Sequence, residues 1–503
     1  MAQAILAQAV FSAFCIFKQV ADVIPTEMLS DFDPAKLEAE VEAQNTSATG
    51  LDCDYLVIGA GLLGLGFTDE LLNLKPDTKI IIVDKHSQAG GHWNDDYAFV
   101  RLHAPSESYG VMSQRLENGL PPCHGDTKER ASRDEILHYF GKVLETMVET
   151  GQVRAFFNCF VEPDTSIIRS CTSPTKTFQV SVRKKIVDGT FVKVEIPVLR
   201  PPPYLVSAGA TVVPPNYLFS LETEFPAYYV LGAGKTAMDS ILWLMSRGVP
   251  ADLVHWIVPR DVYVINRSFY EMPDKDKKRF LEALWAEEWS TGKQGLNILE
   301  KHSMVSRIFA DHEPTSCKYA ILSQTEIAEL RKVQNVVRLG YVQKVGLDSI
   351  TLQHGSIPMP AGALCIDCAA SAFYCQKDRR PIFSDNRITL QMCLPSSHGS
   401  GSVWSAMAAT TAFVEAQPMR EDEKNILCTP VIASDDPELM LMGLYVDDKK
   451  RQHWERLGIY EVWSKRMVAR GWSSMLDVEV DPSVRARAVA QSRQFVFAKK
   501  EQR

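Results

Sequence analysis

The stretch Tyr55-Leu-Val-Ile58-Gly59-Ala-Gly61-Leu-Leu-Gly64 decides the fold. Its first four residues are an apolar run typical of a buried parallel strand, and Leu62 to Leu74 is apolar with a helical period. Glycines at this spacing permit a tight turn, a close backbone approach to a pyrophosphate and packing of the helix on the strand. Asp84 ends the next apolar run, 20 residues after Gly64, where a carboxylate can accept hydrogen bonds from ribose hydroxyls. Together these features predict a dinucleotide-binding βαβ unit.

A second copy of the pattern begins with the apolar run Tyr228-Tyr-Val-Leu231. The turn that follows is Gly232-Ala-Gly234-Lys-Thr-Ala237, in which alanine takes the place of the third glycine, a tolerated variant. A phosphate loop of the NTPase kind would need glycine where Tyr229 stands, which excludes that motif. After the next apolar run, the Arg260 guanidinium can clamp a 2′-phosphate, whereas the adjacent Asp261 can accept from a bare ribose. We interpret the second unit as an NADPH site, with NADH as the alternative.

Length and composition indicate a globular protein of several domains. The chain has 503 residues, 46% hydrophobic and 23% charged, with a net charge of 54 − 62 = −8. At roughly 100–200 residues per domain, this length predicts about three compact units. The chain is mildly acidic and has no dense basic stripe, so nucleic acid is not an expected partner. The last 21 residues, from Ser483, are basic and are interpreted as a solvated terminal helix or tail.

The cysteines and the apolar N-terminal segment bear on compartment. Eleven cysteines, an odd number, are scattered from Cys15 to Cys428, which favours free thiols and a cytoplasmic protein over a disulfide scaffold. Cys365 and Cys368 form a C-x-x-C within a strand-like run, and buried strand thiols are predicted there rather than a redox dithiol. Residues 5–17 are apolar but number only 13 and have no preceding Lys or Arg. They predict a docked helix rather than a signal peptide or membrane anchor.

The segment after the first unit carries a family resemblance. It runs Gly90-Gly91-His-Trp93-Asn-Asp-Asp-Tyr97-Ala-Phe-Val-Arg101-Leu-His103 and resembles the flavin-containing monooxygenases and their Baeyer–Villiger relatives. In those proteins a Gly-Gly-x-Trp follows the ribose acid, and a Tyr, an Arg and a polar residue come shortly after. The resemblance covers roughly residues 51–430. Still closer is the likeness to uncharacterised FAD/NAD(P)-dependent oxidoreductases that share Gly-Ala-Gly-Lys-Thr-Ala-Met-Asp239 and Arg387-Ile-Thr-Leu-Gln391.

This resemblance implies FAD on the first unit and NADPH on the second, with their reactive rings meeting between the domains. The residues implied to bind FAD are Gly59, Gly61, Gly64, Asp84, Gly90, Gly91 and Trp93. Those implied to bind NADPH are Gly232, Gly234, Ala237 and Arg260. Arg101 and His103 are the candidate catalytic groups near the reacting ring. Histidine titrates near neutral pH, so His103 is a candidate acid or base, with a hydrogen-bonded structural histidine as the alternative.

Several features depart from the family pattern or carry weaker signals. The Baeyer–Villiger fingerprint is absent between Tyr217 and Tyr229, and His103 stands where those enzymes resemble one another in having Asp. Ketone-to-ester insertion is therefore not implied. Asp95 and Asp96 are predicted to be solvated loop acids, and residues 396–401 a plain turn. The sequence contains no convincing metal-ligand spacing.

The predicted fold class is α/β, with two Rossmann-like dinucleotide-binding domains, for FAD and NADP, and a helical C-terminal extension. The predicted segments are an N-terminal helical lead-in (1–50), an FAD domain (51–205 and 355–430), an inserted NAD(P) domain (206–354) and the C-terminal extension (431–503). The predicted function is NADPH-dependent oxygenation of a small organic substrate by molecular oxygen through a flavin hydroperoxide. Two alternatives remain: an oxidase or dehydrogenase without oxygen insertion, and a redox-sensing nucleotide-binding module.

Overall fold

The computed structural model describes residues 33–37, 39, 50–116, 122, 126–173, 175–221, 223–370, 378–393, 401–431, 434–469 and 480–501. Most of the predicted N-terminal lead-in and residues 396–400 of the predicted turn lie outside these ranges. The strands are β1 (Leu51–Ile58), β2 (Ile80–Val83), β3 (Val153–Phe156), β4 (Cys159–Val161), β5 (Ile167–Ser170), β6 (Thr177–Asp188), β7 (Leu205–Val206), β8 (Thr211–Val213), β9 (Tyr228–Leu231), β10 (Val254–Ile257), β11 (Val262–Asn266), β12 (Val305–Arg307), β13 (Ser316–Leu322), β14 (Asn335–Val337), β15 (Val342–Val345), β16 (Ser349–Leu352), β17 (Gly355–Pro358), β18 (Leu364–Asp367) and β19 (Arg387–Thr389). The helices are α1 (Leu62–Leu74), α2 (Arg133–Glu149), α3 (Lys235–Ser246), α4 (Ser268–Glu271), α5 (Asp274–Ala286), α6 (Gly292–Lys301), α7 (Gln324–Leu330), α8 (Gly401–Glu415), α9 (Glu421–Leu427), α10 (Leu439–Arg456), α11 (Tyr460–Ala469) and α12 (Pro482–Glu501).

The first sheet contains the first predicted βαβ unit. Its strand order is β3-β2-β1-β6-β5-β4, with β19 also pairing with β6. Strands β3, β2, β1, β6 and β19 are parallel neighbours, whereas β4 and β5 form an antiparallel extension of β6. All four residues of β2 are buried, as expected for a parallel strand that is covered on both faces. The β1-α1-β2 unit is therefore confirmed.

The second sheet contains the second predicted unit. Its order is β14-β10-β9-β18-β8, and every neighbouring pair is parallel. Helix α3 connects β9 to β10 and buries Met238 and Ile241 in the core of this unit. The fold is thus α/β with two Rossmann-like units, as predicted.

The chain returns to the first unit later than the sequence predicts. Strand β18 was assigned to the second part of the FAD domain, beginning at residue 355, but it pairs with β8 and β9 of the second sheet. Strand β17 likewise pairs with β16 in a small sheet of order β17-β16-β15-β7. The first strand to rejoin the first sheet is β19, through β6. An apolar run such as Leu364–Asp367 suits the interior of either sheet, so its composition does not reveal its pairing partner.

The C-terminal helices pack against two parts of the fold. Trp454 of α10 and Trp463 of α11 lie in the core of the first unit. Met440 and Leu441 of α10, together with Ala488 of α12, pack with α5 and α6 in a separate cluster that also contains Tyr263 of β11. The helical C-terminal region is therefore confirmed. Among the described residues, no helix is both long and apolar enough to span a bilayer.

Candidate dinucleotide sites

The first glycine turn lies between β1 and α1 and leaves no room for side chains. Gly59 has φ +98°, in the region that favours glycine. A Cβ on Gly64 would lie 1.9 Å from the carbonyl oxygen of Gly59, so this residue allows α1 to pack closely on the strand. A Cβ on Gly61 would lie 3.1 Å from the Cα of Gly91, and the Gly90 amide donates to the Ala60 carbonyl at 2.9 Å. The Gly90-Gly91 turn therefore lies directly against the first glycine turn.

The helices that follow the two glycine turns begin without a side-chain cap. Among the described residues, no side chain accepts a hydrogen bond from the first turn of α1 or α3, and neither first turn contains an acidic residue. Helices α2, α6 and α7, by contrast, each begin with a capping box. Uncapped N-terminal amides carry a partial positive charge and bind anions well. Both glycine turns therefore fit a phosphate group.

Asp84 lies at the end of β2, as predicted, and is 6% exposed. Its Oδ2 accepts from the Ala60 amide at 2.6 Å, and its Oδ1 accepts from the backbone amide of His86 at 2.9 Å. The His86 ring lies between two carboxylates, with Nδ1 2.7 Å from Asp84 Oδ1 and Nε2 2.8 Å from Asp95 Oδ2. The hydrogen bonds to these two carboxylates raise the pKa of His86, and the bond to Asp84 contributes most. Burial has a smaller effect in the opposite direction. The sequence analysis did not identify His86, although this residue stands only two positions after Asp84, the predicted ribose-binding carboxylate.

The segment after the Gly90-Gly91 turn contains Trp93, a predicted FAD residue, and the acidic pair Asp95 and Asp96. Trp93 is 6% exposed and packs in the first core, where its Nε1 donates to the Tyr109 hydroxyl at 2.7 Å. Asp95 and Asp96 are not the solvated pair that was predicted. Asp95 contacts His86, and burial raises the pKa of Asp96, with smaller opposing effects from His92 and Arg133.

The two candidate catalytic residues differ in their exposure to solvent and in their hydrogen-bond partners. Arg101 is 40% exposed in its side chain and donates to the Arg130 carbonyl at 2.9 Å. His103 is half-buried, and its Nδ1 accepts from the Ile321 amide at 3.3 Å. Burial, and then the nearby cations led by Lys235, lower the pKa of His103 to about 3. Its imidazole is therefore neutral at physiological pH and carries its proton on Nε2, which favours a hydrogen-bonding role over the expected acid–base role.

A network of buried polar groups joins the two units, and sequence reasoning missed it. The Tyr97 hydroxyl donates to Asp239 at 2.8 Å, and Lys235 pairs with the same carboxylate. Tyr97 follows the Gly90-Gly91 turn, which lies against the first glycine turn, and Lys235 opens α3, so this contact connects the two candidate sites. Nearby, Arg267 is 1% exposed and pairs with Asp126 at 2.6 Å and Glu326 at 2.6 Å. These partners are far apart in sequence, which explains why no local pattern indicated them.

The second glycine turn is more open than the first. Gly232 has φ +134°, and a Cβ there would lie 3.0 Å from the Cys368 carbonyl oxygen. Within the described part of the chain, a Cβ at Gly234 would meet nothing closer than Lys318 Cδ at 4.0 Å, which leaves space beside the N-terminus of α3. Ala237 is fully buried in the second core, so alanine in the third position serves helix packing.

Arg260 and Asp261 both have partners at the end of β10. Asp261 is held by two hydrogen bonds from Arg338, at 2.9 and 3.1 Å. Arg260 pairs with Asp435, and its Nε is buried without a hydrogen-bond partner among the described residues. An orphaned donor on this guanidinium fits an additional anionic acceptor such as a phosphate.

Cys365 and Cys368 are buried, as predicted for strand thiols. Burial raises the pKa of Cys365 to about 12. Burial also raises the pKa of Cys368, whose sulfur lies 3.6 Å from the Ser240 hydroxyl. Neither thiol is therefore ionised near neutral pH. Within the described ranges, no group of three or more His, Cys, Asp and Glu side chains could hold a metal ion.

The chain is similar over most of its length to mycobacterial proteins of unassigned activity. It is 34% identical over 465 residues to the uncharacterized protein Rv2000 of Mycobacterium tuberculosis, a match that covers 88% of this chain and 82% of the relative. The uncharacterized protein Mb2023 of Mycobacterium bovis matches equally well. The chain belongs to the family of these proteins. No protein-family model matches it.

Two of the solved structures to which the chain is similar are monooxygenases. The polycyclic ketone monooxygenase of Thermothelomyces thermophila is 11% identical, and the match covers 96% of this chain and 98% of that one, with a TM-score of 0.47. A cyclohexanone monooxygenase in its open form is 12% identical, and the match covers 84% and 98%, with a TM-score of 0.46.

Proposed function

We propose that the chain is an FAD- and NADPH-dependent oxidoreductase that oxygenates a small organic substrate with molecular oxygen. The observation that supports this function is the junction of the two glycine-turn units. Each turn opens an uncapped helix. Tyr97, which follows the Gly90-Gly91 turn packed against the first glycine turn, donates to Asp239 on the helix that the second turn opens. Two nucleotide sites that meet at a domain boundary suit hydride transfer between two bound cofactors.

The first unit supplies the groups that would hold FAD. The N-terminal amides of α1 would bind the pyrophosphate, beside the close backbone contact of Gly61 with Gly91. Asp84 already accepts three hydrogen bonds from Ala60 and His86. Since a carboxylate has about four lone-pair sites, one acceptor position remains for a ribose hydroxyl.

The second unit supplies the groups that would hold NADPH. The α3 N-terminus is uncapped, and the open space at Gly234 admits a phosphate. Arg260, whose side chain is 38% exposed, would contact the 2′-phosphate through its guanidinium. Asp261, the residue that would favour NADH, is instead engaged by Arg338.

The polar groups between the units would orient the two cofactors and exclude water. His103 is neutral, and its Nε2–H can donate a hydrogen bond without changing charge. Arg101, two residues before His103, would add a positive charge. Arg101 and His103 both remain proposed catalytic groups. Bound flavin supplies the redox chemistry itself, including reaction with oxygen.

The test begins with the purified protein and its flavin spectrum. We expect bound FAD, bleaching of its visible absorbance by NADPH without oxygen, and consumption of oxygen in a one-to-one ratio with NADPH on aeration. Recovery of all that oxygen as hydrogen peroxide with every substrate tried would favour the oxidase. Bound FAD that NADPH does not bleach would overturn the proposal and favour the redox-sensing module.

A substitution at Gly234 tests whether NADPH must bind at the second site to reduce the flavin. Gly234→Val should leave folding and bound FAD unchanged, because the nearest atom to a Cβ at this position, among the described residues, is Lys318 Cδ at 4.0 Å. Its side chain would fill the space for the phosphate, so NADPH should no longer bleach the flavin. The control is Ser246→Val, an exposed position at the other end of α3, which should behave as wild type.

A further inference from the structure

We propose that Asp435 sets the preference of the second site between NADPH and NADH, by competing with the 2′-phosphate for Arg260. This inference rests on the proposed function and assigns a role to the segment that leads into the C-terminal helices. The competing group comes from outside the Rossmann-like unit, 175 residues after the arginine that it contacts.

The position of Asp435 is fixed independently of Arg260. Its carbonyl oxygen accepts from the Cys317 amide at 2.7 Å, and the preceding Ser434 carbonyl accepts from the Tyr319 hydroxyl at 3.2 Å. Both partners lie on β13, the strand that begins at Ser316. The backbone of this segment is therefore anchored to the second unit, and the side chain is directed toward Arg260.

The carboxylate is well placed to compete with a phosphate. Arg260 Nη2 donates to Asp435 Oδ2, and the Ser316 hydroxyl donates to the same oxygen at 3.1 Å. The Asp435 carboxylate thereby occupies one edge of the guanidinium. A 2′-phosphate that approached Arg260 would meet a fixed negative charge within a few ångströms, which opposes its binding.

The Asp435 carboxylate can also bind NADH, the cofactor that lacks the 2′-phosphate. A ribose site for NADH needs an acceptor for the 2′-hydroxyl, and Asp261 is already engaged by Arg338. Asp435 has further lone pairs and lies beside the arginine at the end of β10, so it can accept from a ribose hydroxyl. Asp435 therefore lowers the affinity for NADPH and supports the affinity for NADH.

Binding of nucleotide fragments isolates the contribution of the 2′-phosphate. Dissociation constants for 2′,5′-ADP and 5′-AMP would be measured by calorimetry on the flavin-loaded protein, followed by NADP⁺ and NAD⁺. In Asp435→Asn we expect the affinity for 2′,5′-ADP and NADP⁺ to rise about tenfold, because one opposing charge is removed. The affinity for 5′-AMP and NAD⁺ should stay equal or fall. Asp435→Ala provides a second variant if the amide perturbs the local hydrogen bonds.

The controls separate this inference from the proposed function. Asp311→Asn removes one negative charge from an exposed position, with 79% of the side chain accessible, and should leave the affinities unchanged. Arg260→Gln should weaken 2′,5′-ADP in the Asp435→Asn background. If the affinity for 2′,5′-ADP falls or stays constant in Asp435→Asn while the wild type binds nucleotides, Asp435 orients Arg260 or is neutral, and the inference is wrong. A wild type that binds none of the four ligands overturns the proposed second site and this inference with it.

Discussion

At the scale of single residues, His86 gives the first site a dependence on pH. A neutral imidazole has one N–H, so only the imidazolium can donate to both Asp84 and Asp95. The pKa of His86 is raised above its ordinary value of 6.5, chiefly by Asp84. A raised pKa in the folded state stabilises the protein fully below about pH 6.5, and this stabilisation is lost as the pH rises through the folded value.

We therefore expect His86→Gln to lower the free energy of unfolding by about 2 kcal/mol at pH 6, the size of a hydrogen bond to a charged group. The difference from wild type should shrink toward alkaline pH. Thermal melting of both proteins between pH 5.5 and 9 measures this trend. A deficit that is constant across the range would show that the ring contributes by packing and not as an imidazolium. His138→Gln is the matched control, since His138 is half-buried in α2 and burial lowers its pKa.

Two glycines in α1 provide a second residue-scale comparison. A Cβ at Gly64 would overlap the backbone oxygen of Gly59 at 1.9 Å, whereas a Cβ at Gly66 would meet the Ala408 side chain at 3.1 Å. Gly64→Ala must therefore shift the helix away from the strand, and we expect it to cost about 3 kcal/mol. Gly66→Ala should change stability by less than about 1 kcal/mol, because the gain in helix propensity offsets the tight contact. Urea unfolding distinguishes them; equal costs would contradict the close packing at Gly64.

At the scale of secondary-structure elements, local sequence patterns predicted the two βαβ units but not which sheet every strand joins. The bounds predicted for α1, Leu62 to Leu74, are those of the structure, because a glycine turn and the following Lys75-Pro76 mark both ends. The place of β18 was predicted wrongly, because pairing between parallel strands depends on contacts distant in sequence. His86 and Asp435 were missed for the same reason: their partners become neighbours only when the turns and the C-terminal segment have folded.

Helix α11 is attached to the first unit by a buried ion pair. Glu70 of α1 is fully buried and accepts from Arg466 of α11 at 2.9 Å through Oε2, while the other oxygen also faces the guanidinium. Burial raises the pKa of Glu70 and Arg466 opposes this rise. We expect Arg466→Met to cost about 3 kcal/mol, since it leaves a buried carboxylate unpaired.

The double variant Glu70→Met, Arg466→Met tests that explanation. It should recover most of the lost stability, because no buried charge then lacks a partner. Lys465→Met serves as the control, since the pair Lys465–Glu461 is about three-quarters exposed on both sides and should contribute little. A double variant that is as unstable as Arg466→Met in urea unfolding would show that packing of the arginine stem, rather than charge pairing, attaches α11.

At the scale of the whole molecule, the question is whether the two units unfold together. Their junction includes Arg267, which pairs with Asp126 and Glu326 and donates to the His103 carbonyl at 3.0 Å. His103 and Asp126 precede α2 in the first unit, whereas Glu326 lies in α7 of the second. A buried arginine shared by both units couples their stabilities, since unfolding of either one breaks its contacts with Asp126 and the His103 carbonyl.

Removing that arginine should uncouple the units. We expect Arg267→Met to lower the free energy of unfolding by about 4 kcal/mol, because Asp126 and Glu326 lose a partner in a buried site. Calorimetry should then resolve two transitions where the wild type shows one, because each unit retains its own hydrophobic core. Arg247→Met, an exposed arginine that lies over Trp243, should retain the single transition. A single transition in Arg267→Met, merely shifted to lower temperature, would mean that the apolar contacts and the C-terminal helices, rather than the buried charges, make the two units one cooperative molecule.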